Sequence, residues 1–177
     1  MVISMIKLIK STLEYSEQIM SYRNEFIALN DSMDGCGNLR ECMDAGTWFE
    51  TNRMMETLET CPVGRVPCDR YIAVCEEDDR VVGIIDFRHH IEHPILKVWG
   101  GHIGYSVRPS ERRKGYAKEM LRLILKRCKE YGLKEVLVTC DGSNDGSRKS
   151  IIANRGVFEK TVHVDGMDIQ RYWINLG

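Results

Sequence analysis

The segment RPSERRKGYA at residues 108–117 brings four basic side chains, one proline and one glycine into ten positions. It follows the strand-like run HIGYSV and precedes the helical run KEMLRLILKRCKEYG. The first amides of a helix have no intrahelical acceptors, and the helix dipole adds positive potential there. Gly115 has no Cβ, so the backbone can approach an anion closely. The turn therefore predicts a site for a phosphate-bearing ligand.

Positive charge is concentrated around this turn. Residues 108 to 129 include nine basic and two acidic residues, although the whole chain has a formal net charge of −1. A solvated helix face accounts for the run from Lys126 to Lys129. It does not account for the cluster of Arg112, Arg113 and Lys114 beside the positive end of a helix dipole. We expect a polyanionic ligand there, whereas the near-neutral chain argues against a surface built for nucleic acid or anionic lipid.

Length and composition indicate one globular domain over residues 1–177. The chain is 43% hydrophobic and 29% charged, and no stretch approaches the roughly 18 apolar residues of a membrane span. The opening residues alternate in polarity and are interrupted by Lys7 and Lys10, which favours a first strand over a signal peptide. Seven cysteines, an odd number without a Cys-x-x-Cys pair, favour reduced thiols and no metal site. We expect a cytoplasmic protein.

The pattern of elements is typical of an α+β fold. A first strand precedes a helix over 11–29, with Ser11 or Thr12 as its N-cap, and one or two short helices in 39–59. A hairpin then turns at Glu77-Asp78-Asp79. The remaining elements are the strand HIGYSV, a helix over about 115–131 that Gly132 ends, the buried strand LKEVLVTC, a short helix, and a closing hairpin around Asp165-Gly166. This order predicts an α+β layer with one central β-α-β crossover.

The turn fits neither a Walker loop nor a G-x-G-x-x-G loop. Its spacing, Arg112-x-x-Gly115-x-Ala117, resembles the Q/R-x-x-G-x-G/A pattern of the GCN5-related N-acetyltransferase (GNAT) superfamily. The surrounding GGHIGYSVRPSERRKGYA, the later VTCDGSN and the closing RYWI look like a group of predicted bacterial acetyltransferases in that superfamily. The resemblance extends from about residue 70 to residue 177 and, more faintly, into the N-terminal helices.

The resemblance implies a mixed, mostly antiparallel sheet, flanked by helices, in which two central parallel strands splay apart. Acetyl-CoA would lie between HIGYSV and EVLVTC, with its pantetheine arm on the backbone near Val107. Asn144 matches an asparagine that bonds this arm, although a helix N-cap is the alternative for it. The resemblance implies a cofactor site formed by Val107, Arg108, Arg112, Arg113, Lys114, Gly115, Tyr116, Ala117, Lys118, Asn144 and Ser147.

One position departs from the superfamily pattern. Many members carry a tyrosine seven residues after the asparagine, often assigned as the acid that reprotonates the CoA thiolate. Ile151 stands there in this chain. The acid must therefore come from elsewhere, or the thiolate leaves unassisted, which a thiol pKa of about 8.5 permits.

Acetyl transfer to an amine calls for a base, because an alkyl amine of pKa about 10.4 is only about 0.1% neutral at physiological pH. His102, on the strand beside the expected cleft, is our first candidate, and His89 is the second, as a residue of the acceptor pocket. A hydrogen-bonded structural histidine is the alternative for His102. Cys140 could act as a covalent nucleophile, but free cysteines are usually small buried hydrophobic residues.

The sequence thus predicts an acetyl-CoA-dependent N-acetyltransferase. The acetyl group would move to a primary amine of a small molecule or peptide by direct attack in a ternary complex. An acyl-CoA sensor without turnover is one alternative, and a nucleic-acid-binding module is another. We expect a monomer or homodimer with no nucleic-acid or membrane partner. Four N-terminal acids suggest a cationic acceptor, and a solvated surface explains them equally well: Asp31, Asp34, Glu41 and Asp44.

Overall fold

The structure is a computed structural model that describes residues 5–177. Within these residues, seven strands and four α-helices follow one another in an order close to the predicted one. They are β1 (Ile6–Ile9), α1 (Ser16–Ala28), α2 (Ala45–Met54), β2 (Cys68–Cys75), β3 (Val81–Arg88), β4 (Ile103–Val107), α3 (Tyr116–Tyr131), β5 (Glu135–Asp141), α4 (Asp145–Ala153), β6 (Val157–Val164) and β7 (Met167–Asn175).

The strands form one sheet in the order β1-β2-β3-β4-β5-β7-β6. Every neighbouring pair is antiparallel except β4 and β5, which are parallel and are connected by α3. The β4–β5 ladder pairs only Ile103 with Val138, so the two strands separate beyond that point. The predicted α+β architecture, with a mostly antiparallel sheet and splayed central parallel strands, is confirmed.

Helices cover both faces of the sheet. On one face, α3 and α4 pack on a core that includes Met120, Ile124 and Ile151. On the other face, α1 and α2 pack on a second core that includes Tyr22, Phe26 and Trp48. Side chains of β4 alternate between the two faces: Tyr105 packs against the first core, and Ser106 contacts Tyr22 of α1. The central strand β4 therefore contributes side chains to both layers.

Helix α3 closely matches its prediction. Its buried side chains are Tyr116, Met120, Leu121, Ile124 and Cys128. It ends at Gly132, which has a left-handed φ of 108°. Helix α1 begins later than expected, because residues Leu13–Tyr15 form a 3₁₀ turn and α1 starts at Ser16. The Ser11/Thr12 cap prediction is wrong: Thr12 makes no side-chain capping bond, and Ser11 lies outside both helical segments.

The segment before β4 contains a feature that the sequence did not reveal. Leu96–Gly100 form a single π-helical turn. One guanidinium nitrogen of Arg171 donates to the carbonyl oxygens of Lys97 and Val98, at 2.7 and 2.6 Å. Thr139 Oγ1 donates to the carbonyl oxygen of Trp99 at 2.6 Å. These bonds fix Trp99 beside the opening between β4 and β5. None of the helices in residues 5–177 is long and apolar enough to cross a membrane.

Candidate active site

A cleft of about 1120 Å³ lies where β4 and β5 separate. Its walls are the loop at 31–35, the strand residues 103–107, the turn at 112–118 and the start of α4. The cleft therefore brings together the basic turn, the two splayed strands and the segment around Asn144. Most of the residues predicted to hold the cofactor line it, and Arg108 and Lys114 do not.

The backbone of β4 faces the cleft at alternate residues. The Arg88 amide donates to the carbonyl oxygen of His102 at 2.7 Å, and the Arg108 amide donates to that of Val82 at 2.8 Å. Hydrogen-bond direction alternates along an antiparallel strand, so even-numbered residues of β4 bond to β3. Tyr105 and Val107 consequently direct their backbone amides and carbonyls toward β5, into the opening. An extended ligand arm could pair with this strand edge.

The turn before α3 has the geometry of an anion site. Arg113 has φ 62° and Gly115 has φ 87°, so two residues within three adopt the left-handed conformation. Backbone of this kind points successive amides into one concavity that binds anions. The first bond inside α3 runs from the Glu119 amide to the Gly115 carbonyl, at 3.3 Å. The amides of Ala117 and Lys118 therefore belong to the helix turn that has no intrahelical acceptors.

Three of the basic side chains near the turn hold the structure together. Arg108 extends away from the cleft, with Nε 2.6 Å from Glu25 Oε1 in α1. Lys114 pairs with the buried Glu111 at 2.8 Å. Arg112 lines the cleft but bonds Asp31 Oδ2 at 2.7 Å. Arg108 and Lys114, which were predicted to belong to the cofactor site, direct their side chains to these acids and do not line the cleft. Their part in cofactor binding stays a prediction.

Other cations on the cleft are not engaged in this way. Within residues 5–177, Arg113, Lys118 and Lys149 have no ion-pair partner, and all three line the cleft. Lys149 lies in the first half of α4, and sequence reasoning missed it because nothing in the run SRKS distinguishes it from a solvated lysine. Arg113, Lys118 and Lys149 therefore give the cleft positive charge that no acid of residues 5–177 pairs with.

Asn144 and Ser147 connect α4 to the cleft. Asn144 Oδ1 accepts the Ser147 amide at 3.0 Å, so the residue caps α4 while it lines the cleft. The Ser147 hydroxyl lies 2.6 Å from the hydroxyl of Tyr105. Burial raises the pKa of Tyr105 to about 12, although the bond with Ser147 acts in the opposite direction. Tyr105 therefore stays a neutral hydrogen-bonding group, and its role in the cleft was not anticipated from HIGYSV.

Neither Cys140 nor Ile151 offers ready acid or nucleophile chemistry. Cys140 lines the cleft, but burial raises the pKa of its thiol to about 11, which keeps it protonated at neutral pH. All seven cysteines are free thiols. Ile151 is fully buried in the core between α3 and the sheet. The position that carries tyrosine in many superfamily members therefore serves packing in this chain.

The environment of His102 disfavours the predicted base role. Its Nδ1 accepts the Leu137 amide at 2.9 Å, in a setting where the residue is 6% exposed. Burial, together with the nearby charges of Arg88 and His90, lowers the pKa of His102 to about 4. The neutral ring then carries its proton on Nε2, and its lone pair on Nδ1 is already used. His102 instead secures β4 to β5 just before the strands separate.

His89 lies outside the cleft. Its Nε2 is 2.7 Å from Asp69 Oδ2, and its ring stacks on Tyr131 with centroids 4.3 Å apart. Tyr131 is the last residue of α3, whereas the anion site is at the first turn of that helix. The prediction that His89 lines the acceptor pocket is therefore not supported by its position. The neighbouring His90 and His93 accept backbone amides of their own loop.

The wall formed by the 31–35 loop and the end of β3, which we interpret as the acceptor side of the cleft, contains groups of opposite charge. Asp34 is open to the cleft solvent, yet the surrounding protein desolvates its carboxylate and raises its pKa. Arg88, the last residue of β3, and Trp99 also line the cleft. Asp44 lies elsewhere and caps α2 through the Thr47 amide at 2.8 Å. Of the acids suggested as acceptor contacts, Asp31 is paired with Arg112, and Asp34 is accessible.

A family model described as the acetyltransferase (GNAT) family matches residues 38–151. This range covers most of the chain and includes α2, the splayed strands and the basic turn. The chain belongs to the GNAT family. It is therefore an acyltransferase by family, and the resemblance seen in the turn is confirmed. No curated protein matches the chain in sequence.

Solved acetyltransferase structures share this fold. A ribosomal L7/L12 alpha-N-protein acetyltransferase, RimL, in complex with coenzyme A has a TM-score of 0.69 at 16% identity, over 96% of this chain and 93% of its own. The microcin C7 self-immunity acetyltransferase MccE, in complex with acetyl-CoA and AMP, has a TM-score of 0.69 at 17% identity, over 96% and 92%. An N-acetyltransferase from Staphylococcus aureus Mu50 has a TM-score of 0.65 at 21% identity, over 98% and 100%. At these identities the similarity establishes the fold.

Proposed function

We propose that this GNAT protein is a single-domain enzyme that transfers the acetyl group of acetyl-CoA to a primary amine of a small molecule or peptide. Both substrates are bound together, and the amine attacks the thioester directly. The observation that carries the proposal is the junction of two features in one cleft. The strand edge at Tyr105 and Val107 can pair with an amide-containing arm, and the left-handed turn at 113–115 can hold its pyrophosphate.

The donor set of the cleft fits acetyl-CoA. Backbone amides at the start of α3 suit the pyrophosphate oxygens. Arg113, Lys118 and Lys149 are cations without ion pairs within residues 5–177, and they suit the remaining phosphate charge. The structures of RimL with coenzyme A and of MccE with acetyl-CoA add support from proteins of the same fold. The fit requires no metal ligand.

The chemical step needs the amine without its extra proton. The amine nitrogen forms a bond to the thioester carbonyl carbon, the carbon–sulfur bond breaks, and the CoA thiolate takes up a proton. The net reaction turns an ammonium and acetyl-CoA into an amide, free CoA thiol and one proton. A backbone amide of β4 that faces the opening can stabilise the tetrahedral oxyanion, and Val107 is suitably placed.

Asp34 replaces the histidines as our candidate base. It is an accessible carboxylate on the acceptor side, and its raised pKa brings its proton affinity closer to that of an amine. The next residue, Gly35, has φ 78°, and a Cβ there would lie 2.3 Å from the Gly104 carbonyl oxygen. Asp34 is therefore held beside the middle of β4. The proton would pass from the ammonium to this carboxylate, directly or through water.

Ligand-induced stabilisation tests the proposal. Acetyl-CoA at about 100 times its Kd should add about 2.7 kcal/mol to the free energy of unfolding, which raises Tm by roughly 5–10 °C for this size. Gly115→Glu places bulk and negative charge in the anion site and should lower acetyl-CoA affinity at least about tenfold. Gly132→Glu is the matched control, because Gly132 is the left-handed glycine at the other end of α3 and has open space around it.

Turnover separates an enzyme from a sensor. Release of free CoA thiol in the presence of an amine panel should exceed release without amine. A chain whose Tm does not respond to saturating acetyl-CoA would contradict the proposal as a whole. Stabilisation without turnover on any amine would favour the acyl-CoA sensor.

A further inference from the structure

Arg88 is a cation with incomplete partners on the acceptor side of the cleft. Its two terminal nitrogens make only long contacts, at 3.3 Å to the Gly100 carbonyl oxygen and 3.4 Å to Asp86 Oδ1. Within residues 5–177 its Nε–H has no acceptor. The side chain is 21% exposed, so it is neither well solvated nor well paired. Arginine in such a setting has donors to offer a ligand.

The charges beneath Arg88 do not balance it. Asp86 is buried, and its Oδ2 already pairs with Arg70 at 2.8 Å. Its Oδ1 also accepts the Gly104 amide at 3.2 Å. One buried carboxylate thus lies between two guanidinium groups. The other negative charge near Arg88 is that of Asp34, so an ammonium held by Asp34 would leave one positive charge over. Arg70 is enclosed and hydrogen-bonded to the Gly35 carbonyl oxygen, so Arg88 is the group that a ligand can reach.

The opposite charge lies close by on the same wall. The position that a Cβ would take on Gly104 is 2.9 Å from an Arg88 terminal nitrogen and 3.1 Å from the Gly35 amide nitrogen. The guanidinium and the Asp34–Gly35 turn therefore meet over the middle of β4. Gly104 precedes Tyr105, whose backbone faces the opening. One small ligand could therefore contact Arg88 with one group and Asp34 with another. Both groups would lie beside the strand edge where the acetyl-CoA arm is expected.

We propose that the acetyl acceptor is a zwitterionic amine of the amino-acid type, with its carboxylate on Arg88 and its ammonium toward Asp34. This inference rests on the proposed function and specifies its substrate class. A planar carboxylate matches the two parallel donors of a guanidinium and supplies the missing negative charge. A simple amine or an internal lysine of a protein would leave Arg88 uncompensated in the closed cleft. A phosphate on the amine would satisfy the same anion chemistry, and the test separates the two.

The test compares amines that differ in one group. The panel contains free amino acids, the corresponding amino-acid amides, amines that lack the carboxylate, and O-phosphoethanolamine, and CoA thiol release gives kcat/KM for each. We expect kcat/KM for the free amino acids to be at least about tenfold higher than for their amides. An amide has the more acidic ammonium and is more often neutral, so this preference runs against intrinsic reactivity. Equal kcat/KM for acid and amide overturns the proposal. Turnover of O-phosphoethanolamine alone also overturns it, and assigns a phosphate instead of a carboxylate to the group that Arg88 binds.

Arg88→Gln should remove the acid-to-amide preference, mainly by raising KM for the acids. Arg65→Gln is the matched control, because Arg65 is exposed in the loop between α2 and β2 and does not line the cleft. An unchanged preference in Arg88→Gln contradicts the assignment, and the wild-type comparison decides the substrate class even if this variant folds poorly. Tm with acetyl-CoA is measured in parallel. If acetyl-CoA does not raise the Tm of the wild-type protein, the proposed function is contradicted. If acetyl-CoA raises Tm but only amines without a carboxylate are acetylated, this inference alone is contradicted.

Discussion

The hydroxyl oxygen of Tyr105 lies 2.6 Å from the hydroxyl oxygen of Ser147. Tyr105 belongs to β4, and Ser147 belongs to α4 on the far side of the cleft. The bond therefore spans the gap that the separating strands leave on the α3–α4 face. An acyl arm in the gap must pass this pair, and both hydroxyls can donate hydrogen bonds because the raised pKa keeps Tyr105 neutral.

Removal of either hydroxyl should cost stability, and the two losses should not add. Tyr105→Phe and Ser147→Ala should each lower the free energy of unfolding by about 0.5–1.5 kcal/mol. The double variant should reveal a coupling energy of about 1 kcal/mol in urea denaturation. Tyr131→Phe, at the other end of α3, is the control and should show no coupling with Ser147→Ala. Additive losses for Tyr105 and Ser147 would mean that the bond contributes nothing.

His102→Asn should preserve catalysis and change the pH dependence of stability. The pKa of His102 is about 4 in the folded protein, against about 6.5 when unfolded. The stability it contributes is fully present above pH 6.5 and is lost as pH falls toward 4, because the unfolded chain binds the proton first. Asn keeps an acceptor for the Leu137 amide but does not titrate, so unfolding free energy should vary less between pH 6.5 and 4.

Kinetics of the same variant decide between the two roles of His102. A structural histidine predicts kcat within a few-fold of wild type for His102→Asn. A base would predict a fall of about 10²–10⁴. His102→Ala should destabilise the fold by about 1–3 kcal/mol, because it leaves the buried Leu137 amide without its acceptor.

Asp34→Asn should stabilise the protein and impair turnover. The pKa of Asp34 is raised on folding, so the native state holds its proton more tightly than the unfolded chain. Ionisation of Asp34 therefore lowers stability above both pKa values, and Asn should raise the unfolding free energy at pH 7. This gain should vanish below about pH 3.9, where both states are protonated. The kcat for amines should fall by about 10² or more.

The control for Asp34 is Glu59→Gln, which neutralises an exposed acid in the loop after α2. It should leave both stability and kcat near wild type. Destabilisation of Asp34→Asn at neutral pH would show that the carboxylate makes favourable contacts that outweigh its desolvation. Normal kcat in that variant would exclude Asp34 as the base.

Lys118→Gln should weaken acetyl-CoA binding, and Lys126→Gln should not. Both lysines lie on α3, but Lys118 lines the cleft, whereas Lys126 lies two turns further along on the solvent side. An exposed cation contributes up to about 1 kcal/mol to an ion pair, so affinity should fall about fivefold at low salt. The difference should shrink as salt rises. Equal effects of the two substitutions would point to a general charge effect rather than a phosphate contact.

The fold was largely predictable because its signals are local. Helix α3 combines an apolar stripe with a glycine at each end, and the β2–β3 and β6–β7 hairpins have recognisable turns. The π-helical turn at Leu96–Gly100 was missed, because the bonds that hold it come from Arg171 and Thr139, more than 35 residues away. The late start of α1 was missed because Thr12 has the right residue type for a cap but makes no capping bond.

In the candidate site, too, the features set by local sequence were predictable, and those set by distant contacts were missed. The anion turn was predictable from Gly115 and its neighbours, whose conformation depends on a few adjacent residues. The ion pairs of Arg108 with Glu25 and of Lys114 with Glu111 could not be predicted, because these partners come together only in the folded chain. The histidines were chosen for their titration range, and burial removed that property from His102. The Asp34–Gly35 turn and Arg88 meet over Gly104, and no sequence pattern predicts this contact.

The single ladder pair between Ile103 and Val138 has a consequence for the amide protons of β4. Beyond that pair the amides of Tyr105 and Val107 face a gap rather than a neighbouring strand, so solvent deuterium can reach them without global unfolding. A ligand arm in the gap would act as the absent strand and slow their exchange. The amide of Arg108, bonded to Val82, is already protected by β3. The exchange rate of each β4 amide would then show whether a ligand occupies the cleft beside that residue, and the measurement does not require turnover.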